Sequence, residues 1–412
     1  MGTLSTIEAN ALEPLAARKD AMLANVESWC ALNTGSRNLD GLAEMADIFA
    51  EAFAPLVADG RGEMEMRDPE PAETLNEEGE RVALAHGRNL HIVRPGRGNR
   101  RVLLTGHMDT VFPKDHHFQA LKWIEDGVLN GPGVADMKGG IAVMLEALTA
   151  LEASEFGGQL GWEVILNADE EVSSLGSAPL LAEAATRCQI GLTFEPAADP
   201  DGTLAGGRKG SGNFAAAIAG RAAHAGRNPE DGRNALVAAA DLAVRLDAMK
   251  HERTTLSVNP ARLDGGGPNN VVPESAVLRW NVRPLTPEDQ AWAEARQAEI
   301  LKDVAARHDV AIDVTGSFAR PPKPLDEKQR GLFELVRDCG ADLGQVIAWK
   351  NTGGVCDGNN LAAAGLAVVD TMGVRGGAIH SDREFLIVDS LTERAQLAAL
   401  TLMRLAQGRL AA

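Results

Sequence analysis

The stretch RVLLTGHMDTVFP, residues 101–113, starts as an apolar run and ends in a histidine, an aspartate and a proline. Such an apolar run predicts a buried strand. Because side chains alternate along a strand, His107 and Asp109 share one face at its end. The pair is explained either by a polar strand end that a turn closes, or by a metal-binding histidine whose second ring nitrogen is held by a carboxylate. Other parts of the chain decide between these alternatives.

Predicted strands and helices alternate along much of the chain. Apolar runs predict further strands over residues 162–168, 190–196 and 366–370. Apolar residues at helical spacing predict helices over residues 8–31, 40–58, 139–154, 327–341 and 390–408. Residues 60–81 are polar and are expected to be irregular. The alternation predicts an α/β fold with a mainly parallel sheet and helices on both faces.

A smaller unit interrupts this pattern. Residues 206–220 are rich in glycine and strand-like, and they are followed by a predicted helix, two strands, a helix and a strand. These elements cover residues 233–250, 254–263, 275–283, 287–307 and 309–315, and a stiff proline-rich exit follows at 318–326. We therefore predict an α+β domain at 208–322, inserted between the two parts of a larger domain at 1–207 and 323–412.

Composition limits the class of protein. The 412 residues carry a formal net charge of −18, which argues against nucleic acid and anionic membrane surfaces as partners. No segment approaches the ~20 apolar residues of a membrane span, and the first residues do not form a secretory signal pattern. The four cysteines lie far apart with no C-x-x-C spacing, which favours a reducing compartment. We expect a cytoplasmic protein.

Acidic residues and a second histidine follow the other predicted strands and glycine-rich loops. They occur in NGPGVADMKGG at 130–140, NADEEVSSLGS at 167–177, LTFEP at 192–196 and VRGGAIHSD at 374–382. Taken singly, each has an ordinary explanation, such as a helix cap among turn glycines or acids on a solvated loop. Together they place histidine and carboxylate groups where α/β sheets bind ligands. Zinc and related divalent ions take such ligands, and a shared carboxylate can bridge two ions about 3.5–4 Å apart.

The order of these motifs resembles a known family, the two-zinc exopeptidases and deacylases. It includes carboxypeptidase G, aminoacylase, acetylornithine deacetylase and succinyl-diaminopimelate desuccinylase, and the chain is most similar to the glutamate carboxypeptidase (carboxypeptidase G) branch. The resemblance covers nearly the whole chain. It is carried by GHMDTVFP, GPGVADMKGG, NADEEVSSLGS, FEP, GRAAHAGRNPEDGRNA, NNVVPESAVLRWNVRP and GAIHSD.

The resemblance implies two zinc ions per subunit, with cobalt or manganese as substitutes. Asp136 would bridge the two ions. His107 and Glu195 would complete one site, and Glu171 and His380 would complete the other. It also implies a cis peptide bond between Asp136 and Met137, because a bridging carboxylate requires an unusual backbone.

Catalytic roles follow from the same resemblance. Asp109 would support His107, and Glu170 would act as the general base that takes a proton from the attacking water and later delivers it to the leaving amine. The inserted domain would close over the substrate and form a homodimer. His224, in HAGRNPEDGRNA, would reach the neighbouring subunit's active site and stabilise the oxyanion; a lone histidine between small residues can also have no such role.

Three residues are candidates for binding the substrate's free carboxylate. Arg283 in NVRP and Asn270 in NNVVP match such positions in related enzymes. Arg320 in FARPP resembles the second arginine of the carboxypeptidase G pocket, although it can also be a surface arginine before a proline-rich linker. Cys356 and Asn281 depart from the family pattern, and both departures concern the substrate rather than the metal ligands.

These observations predict a zinc-dependent metallo-carboxypeptidase or amidohydrolase that releases a C-terminal amino acid, with glutamate expected, from an N-acyl or peptidyl group. The substrate would be a small molecule or peptide with a free carboxylate. The alternative within the same chemistry is a general N-acyl-amino-acid amidohydrolase, deacetylase or dipeptidase. A non-catalytic binding homologue is less consistent with the sequence, because the predicted metal ligands and Glu170 are all present.

Overall fold

A computed structural model describes residues 4–410. The helices are α1 Thr6–Ala16, α2 Lys19–Cys30, α3 Leu39–Phe53, α4 Lys138–Ala153, α5 Ala178–Ala185, α6 Ala235–Glu252, α7 Pro287–His308, α8 Glu327–Asp342, α9 Asp357–Ala363 and α10 Ser390–Ala406. The strands are β1 Glu63–Arg67, β2 Ala72–Leu75, β3 Arg81–Leu84, β4 Asn89–Arg94, β5 Arg101–His107, β6 Lys122–Glu125, β7 Val128–Asn130, β8 Gly161–Asn167, β9 Ile190–Thr193, β10 Leu204–Arg208, β11 Ser211–Ala219, β12 Ser257–Gly265, β13 Ser275–Arg283, β14 Ala311–Arg320, β15 Trp349–Thr352, β16 Ala367–Val369, β17 Gly376–Gly377 and β18 Phe385–Ile387.

The larger unit is built on a six-stranded sheet in the order β1-β4-β8-β5-β9-β16. Strands β8, β5, β9 and β16 are parallel, whereas β1 and β4 add an antiparallel edge. All seven residues of β8 are buried, as expected for a strand covered on both faces. Leu104 packs in a core that includes α4 and α10, and Leu103 packs on the opposite face with α5 and α9. The predicted α/β fold with helices on both faces is confirmed.

The smaller unit is a four-stranded antiparallel sheet in the order β12-β13-β11-β14, with α6 and α7 packed on one face around a separate core. β11 begins at Ser211 and β14 ends at Arg320. The unit joins the larger one through two adjacent connections, and Arg208 and Lys323 pair through their backbones beside them. The division into domains at residues 207 and 322 stays a prediction.

Two segments differ from the sequence-based expectation. Residues 60–81, expected to be irregular, contain β1 and β2, and β2 pairs with β3 in a hairpin. The hairpin lies against the inserted sheet, where Arg81 pairs with Asp313 and Arg279 donates to the carbonyl of Leu75. β1 alternates Glu and Met and pairs with the nearby β4, whereas the short hairpin is also held by contacts with a distant part of the chain. Likewise, the start of the predicted proline-rich exit, Phe318–Arg320, belongs to β14.

Within residues 4–410, no helix is long and apolar enough to cross a membrane. The cytoplasmic location stays a prediction.

Candidate active site

The parallel strands bring the predicted site residues to one edge of the large sheet. His107 is the last residue of β5, Glu170 and Glu171 lie in a short turn after β8, and Glu195 follows β9 by two residues. Neighbouring parallel strands end at the same edge, so residues far apart in sequence meet there. His380 reaches the same place on the loop between β17 and β18.

Asp136 lies between the two histidines. Its Oδ1 is 3.1 Å from His107 Nε2, and its Oδ2 is 3.2 Å from His380 Nε2. Each carboxylate oxygen therefore faces a different imidazole, as a bridging ligand requires. The peptide bond between Asp136 and Met137 is cis, as predicted.

A second carboxylate accompanies each histidine. Glu195 Oε1 lies 3.7 Å from His107 Nε2, and Glu171 Oε2 lies 3.2 Å from His380 Nε2. Ligands about 2.0–2.2 Å from a tetrahedral ion are about 3.3–3.6 Å from one another. The donor types and their spacing therefore fit two neighbouring divalent ions that share Asp136. The assignment of each residue as a ligand stays a prediction.

The two carboxylates beside His380 also change its pKa. Hydrogen bonds with Asp136 and Glu171 raise this pKa to about 11. A metal ion at His380 would replace the proton that the two carboxylates stabilise, so metal binding should release protons.

Asp109 holds part of the site in place through hydrogen bonds, and its carboxylate is fully buried. Oδ1 accepts from the backbone N–H of Glu170 at 3.1 Å, and Oδ2 accepts from that of Glu171 at 3.2 Å and from Ser36 Oγ at 2.7 Å. His107 Nδ1 lies 2.9 Å from the Asp109 backbone oxygen and 3.4 Å from Oδ1. Asp109 therefore contacts His107 mainly through its backbone, and its side chain holds the turn that carries Glu170 and Glu171.

Glu384 is a buried residue that the sequence analysis did not single out. Its Oε1 accepts from the backbone N–H groups of Ala135 and Asp136, each at 3.0 Å. Burial and the neighbouring Asp136 raise the pKa of Glu384 to about 8. The only sequence signal was an acid four residues after His380, which is too common a pattern to identify a role.

A cavity of about 770 Å³ opens beside these residues. The cations and polar groups of its wall include Arg208, Arg283, Arg320 and Cys356. Arg283 Nη1 donates to the carbonyl of Gly353, and its Nε donates to Asn281 Oδ1 at 3.1 Å. Asn281, one of the departures from the family pattern, therefore orients the arginine predicted to bind substrate. Burial raises the pKa of the Cys356 thiol well above its usual range.

Arg208 is the second residue that the sequence analysis missed. Arg208 Nε lies 2.8 Å from Asp370 Oδ2, and Lys323 Nζ lies 3.0 Å from the same oxygen. All three side chains are buried. Two cations share one carboxylate, so this wall of the cavity carries excess positive charge.

The three residues predicted to bind the substrate carboxylate are not equivalent in the structure. Arg283 lines the cavity. Arg320 also borders it, but its two terminal nitrogens donate to protein groups, including Glu170 Oε1 at 2.8 Å and Asp357 Oδ1 at 2.7 Å. Asn270 is exposed and lies outside the cavity lining. Their roles in binding substrate stay predictions.

His224 lies beside Asn270 on the inserted unit. The neighbouring Ala225 N–H donates to the Asn270 carbonyl at 2.9 Å, and His224 Nδ1 accepts from the Gly226 N–H at 3.0 Å. Neither His224 nor Asn270 lines the cavity of its own chain. Any contact between these residues and a substrate would therefore require a second subunit or a movement of the inserted unit.

Comparison with known proteins identifies relatives in sequence and in fold. Residues 103–404 match the profile of peptidase family M20/M25/M40. Carboxypeptidase G2 of Pseudomonas sp. (strain RS-16) is 33% identical over 320 residues, which cover 76% of each chain. Succinyl-diaminopimelate desuccinylase of Maricaulis maris (strain MCS10) is 30% identical over 326 residues, covering 72% of this chain and 79% of that one.

A solved structure extends this agreement to the whole fold. Aminopeptidase PepT from Bacillus cereus ATCC 10987 superposes with a TM-score of 0.70 at 22% identity, covering 94% of this chain and 99% of that one. The profile match covers most of the chain, and it agrees with the geometry described above. The chain therefore belongs to peptidase family M20/M25/M40 and is a metal-dependent peptidase or amidohydrolase.

Proposed function

We propose that this protein hydrolyses an amide or peptide bond and releases a C-terminal amino acid, with glutamate preferred. The observation that carries the proposal is the cavity itself. It joins Asp136 and three of the four side chains around it to a wall that holds Arg208 and Arg283. A substrate whose scissile carbonyl lies beside Asp136 would place its free carboxylate at Arg208 and Arg283.

The residues supply the chemistry of amide hydrolysis. These side chains would hold divalent ions, which when bound would supply Lewis-acid activation of the scissile carbonyl and of a water molecule. Glu170 takes the proton of the attacking water and passes it to the leaving amine. Burial raises the pKa of Glu170 well above its usual range, although Arg320 opposes this effect. Asp109 keeps Glu170 in place through the backbone N–H.

The preference for glutamate rests on the number of cations at the wall. A released glutamate carries two carboxylates, and Arg208 and Arg283 are two separate guanidinium groups that can meet them. Similarity to carboxypeptidase G2 supports the release of a C-terminal residue. The alternative is a broader N-acyl-amino-acid amidohydrolase, deacetylase or dipeptidase, which the similarity to a succinyl-diaminopimelate desuccinylase favours. Such an amidohydrolase would need only one of the two arginines to bind the substrate's carboxylate.

We also propose a homodimer formed through the inserted unit. Helix α6 exposes Val237 and Val244, which are 51% and 71% accessible, and β12 lies at the edge of the inserted sheet. A second copy would cover these apolar side chains and bring its His224 and Asn270 to the other active site. Light scattering should give twice the mass of the chain, and a monomeric mass at micromolar concentration would contradict the dimer.

The substrate is tested with a panel of acyl-glutamate, acyl-aspartate, acyl-leucine and dipeptides. The protein is stripped of metal, reloaded with zinc, cobalt or manganese, and assayed for released amino acid, with the stripped protein as control. We expect metal-dependent release, fastest from acyl-glutamate. No release from any substrate by a protein shown to bind metal would reject the hydrolase. Faster release from acyl-leucine would reject the preference for glutamate and favour the alternative.

A further inference from the structure

Arg320 occupies an unusual position between the two units. It is the last residue of β14, on the connection that leaves the inserted sheet, and only 2% of it is exposed. Its guanidinium extends into the larger unit and reaches Glu170, the predicted general base. A buried arginine at such a junction must find acceptors there, because an unpaired buried charge is strongly unfavourable.

The terminal nitrogens of Arg320 have five protein acceptors. Nη2 donates to Glu170 Oε1 at 2.8 Å, to the Glu170 backbone oxygen at 3.1 Å and to Ser174 Oγ at 2.8 Å. Nη1 donates to Asp357 Oδ1 at 2.7 Å and to Asn360 Oδ1 at 2.8 Å. Two terminal nitrogens carry only four hydrogens, so none is left for a bidentate bond with a substrate carboxylate.

The far side of the guanidinium is held as firmly as the side at Glu170. Asp357 is buried, its Oδ1 also accepts from Ser174 Oγ at 2.7 Å, and its Oδ2 accepts from Asn167 Nδ2 at 2.7 Å. Since Asn167 is the last residue of β8, Asp357 is tied to the core sheet. Arg320 is therefore aligned by a fixed carboxylate on one side and can fix the Glu170 carboxylate on the other.

The first turn of α9 also holds both connections between the units. Asn359 Nδ2 donates to the backbone oxygens of Lys209 at 2.9 Å and Pro321 at 2.7 Å. Asn360 Nδ2 donates to that of Ala319 at 2.9 Å. The backbone around Arg320 is thus clamped to the larger unit, which helps to hold the guanidinium beside Glu170.

We propose that Arg320 is a positioning residue, which holds the Glu170 carboxylate by Oε1 and leaves the other oxygen for the attacking water. This proposal rests on the proposed role of Glu170 as the base. It differs from a role in binding the substrate's carboxylate, because the partner of Arg320 is the protein's own acid. It also makes the base depend on the inserted unit, since β14 carries the arginine.

The two roles predict different kinetics. Arg320→Met should lower kcat about 100-fold or more on acyl-glutamate and acyl-leucine alike, with KM changed less than about threefold, since a misplaced base loses a contribution of about 10²–10⁴. Arg320→Lys keeps the charge, so its kcat should be at least about tenfold higher than that of Arg320→Met. A rise in KM on acyl-glutamate alone, with kcat retained, would show a substrate anchor and overturn the proposal. Unchanged kcat and KM would also overturn it.

Arg404→Met is the matched structural control. Arg404 is equally buried and pairs with two carboxylates, Glu8 and Asp342, away from the cavity. It should reduce stability without changing kcat, so an equal loss of kcat in both variants would mean that Arg320 is only structural. If Arg320→Met fails to fold, Arg320→Lys and Asp357→Asn provide the same comparison: Asp357→Asn should lower kcat on both substrates at unchanged KM.

A crystal structure of Arg320→Met tests the proposal without activity. We expect the Glu170 carboxylate to leave its position while the four side chains around Asp136 stay in place and metal content is unchanged. A Glu170 carboxylate that stays where it is would contradict the proposal. If the wild-type protein hydrolyses no acyl amino acid, the proposed function fails, and this structural comparison still decides whether Arg320 positions Glu170.

Discussion

Replacing Asp109 by asparagine tests its two proposed roles, support of the turn and support of the metal site. The buried carboxylate accepts three hydrogen bonds, from Ser36 Oγ and from the backbone N–H groups of Glu170 and Glu171. An asparagine keeps only one oxygen. In either orientation of the amide, one of the two backbone N–H groups loses its acceptor and faces an NH₂ group instead.

The expected cost follows from this count. A buried donor left without an acceptor costs about 1–3 kcal/mol, so Asp109→Asn should lower the free energy of unfolding of the metal-free protein by that amount. The turn that carries Glu170 and Glu171 should shift, and His107 loses a nearby carboxylate. We therefore expect metal affinity to fall about 10–100-fold, as for other groups that support metal ligands.

Ser36→Ala is the matched control. It removes the hydroxyl donor to Asp109 but leaves both backbone N–H groups with their acceptor, so it should cost only about 0.5–1.5 kcal/mol and leave metal affinity within about threefold. Denaturant unfolding of the metal-free proteins measures the first quantity, and titration against a competing chelator measures the second. If Asp109→Asn behaves like Ser36→Ala in both assays, our account of Asp109 is refuted.

Three other predictions address the base, the second subunit and acid stability. Glu170→Gln should retain its metal and lower turnover about 10²–10⁴-fold, because an amide cannot accept the proton of water; more than about a tenth of wild-type turnover would contradict the assignment. Mixing His224→Ala with Glu170→Gln under conditions of subunit exchange should restore about a quarter of wild-type activity, since about half of the dimers are mixed and each has one complete site. No recovery despite proven exchange would show that His224 does not act across the dimer. Burial acts against ionisation of Glu163, but bonds from His91, Arg187 and Arg101 outweigh it and lower its pKa to about 2. The ionised Glu163 therefore stabilises the protein above the usual glutamate pKa of about 4.3, and this effect is lost as the pH falls towards 2. In Glu163→Gln, the free energy of unfolding measured by circular dichroism should depend less on pH in that range.

Much of the fold could be predicted because its signals are local. Val102, Leu103 and Leu104 form an apolar run that β5 buries, and the helical spacing of 139–154 matches α4 to within one residue at each end. Parallel strands expose their carboxyl ends at one edge, so motifs at strand ends implied a common site. The cis bond at Asp136–Met137 was expected from resemblance, and it is present.

The hairpin of β2 and β3 shows what local patterns cannot predict. Each of its strands is only four residues long, and the hairpin gains contacts from the inserted sheet through groups such as Asp313 and Arg279. Those partners lie more than two hundred residues away in the chain. No short window of sequence contains both sides of such a contact.

The functional arginines illustrate the same limit most clearly. The types of the metal-binding candidates and their places at strand ends follow from the sequence, because side-chain chemistry and strand periodicity are local properties. Whether an arginine is free to meet a substrate depends instead on which acceptors surround it. Arg320 is enclosed by Asp357 and Glu170, whereas Arg208 shares Asp370 with Lys323 and leaves positive charge at the cavity wall. Only the tertiary structure decides this, because each of these partners is brought in from a distant segment and burial makes every unpaired charge costly.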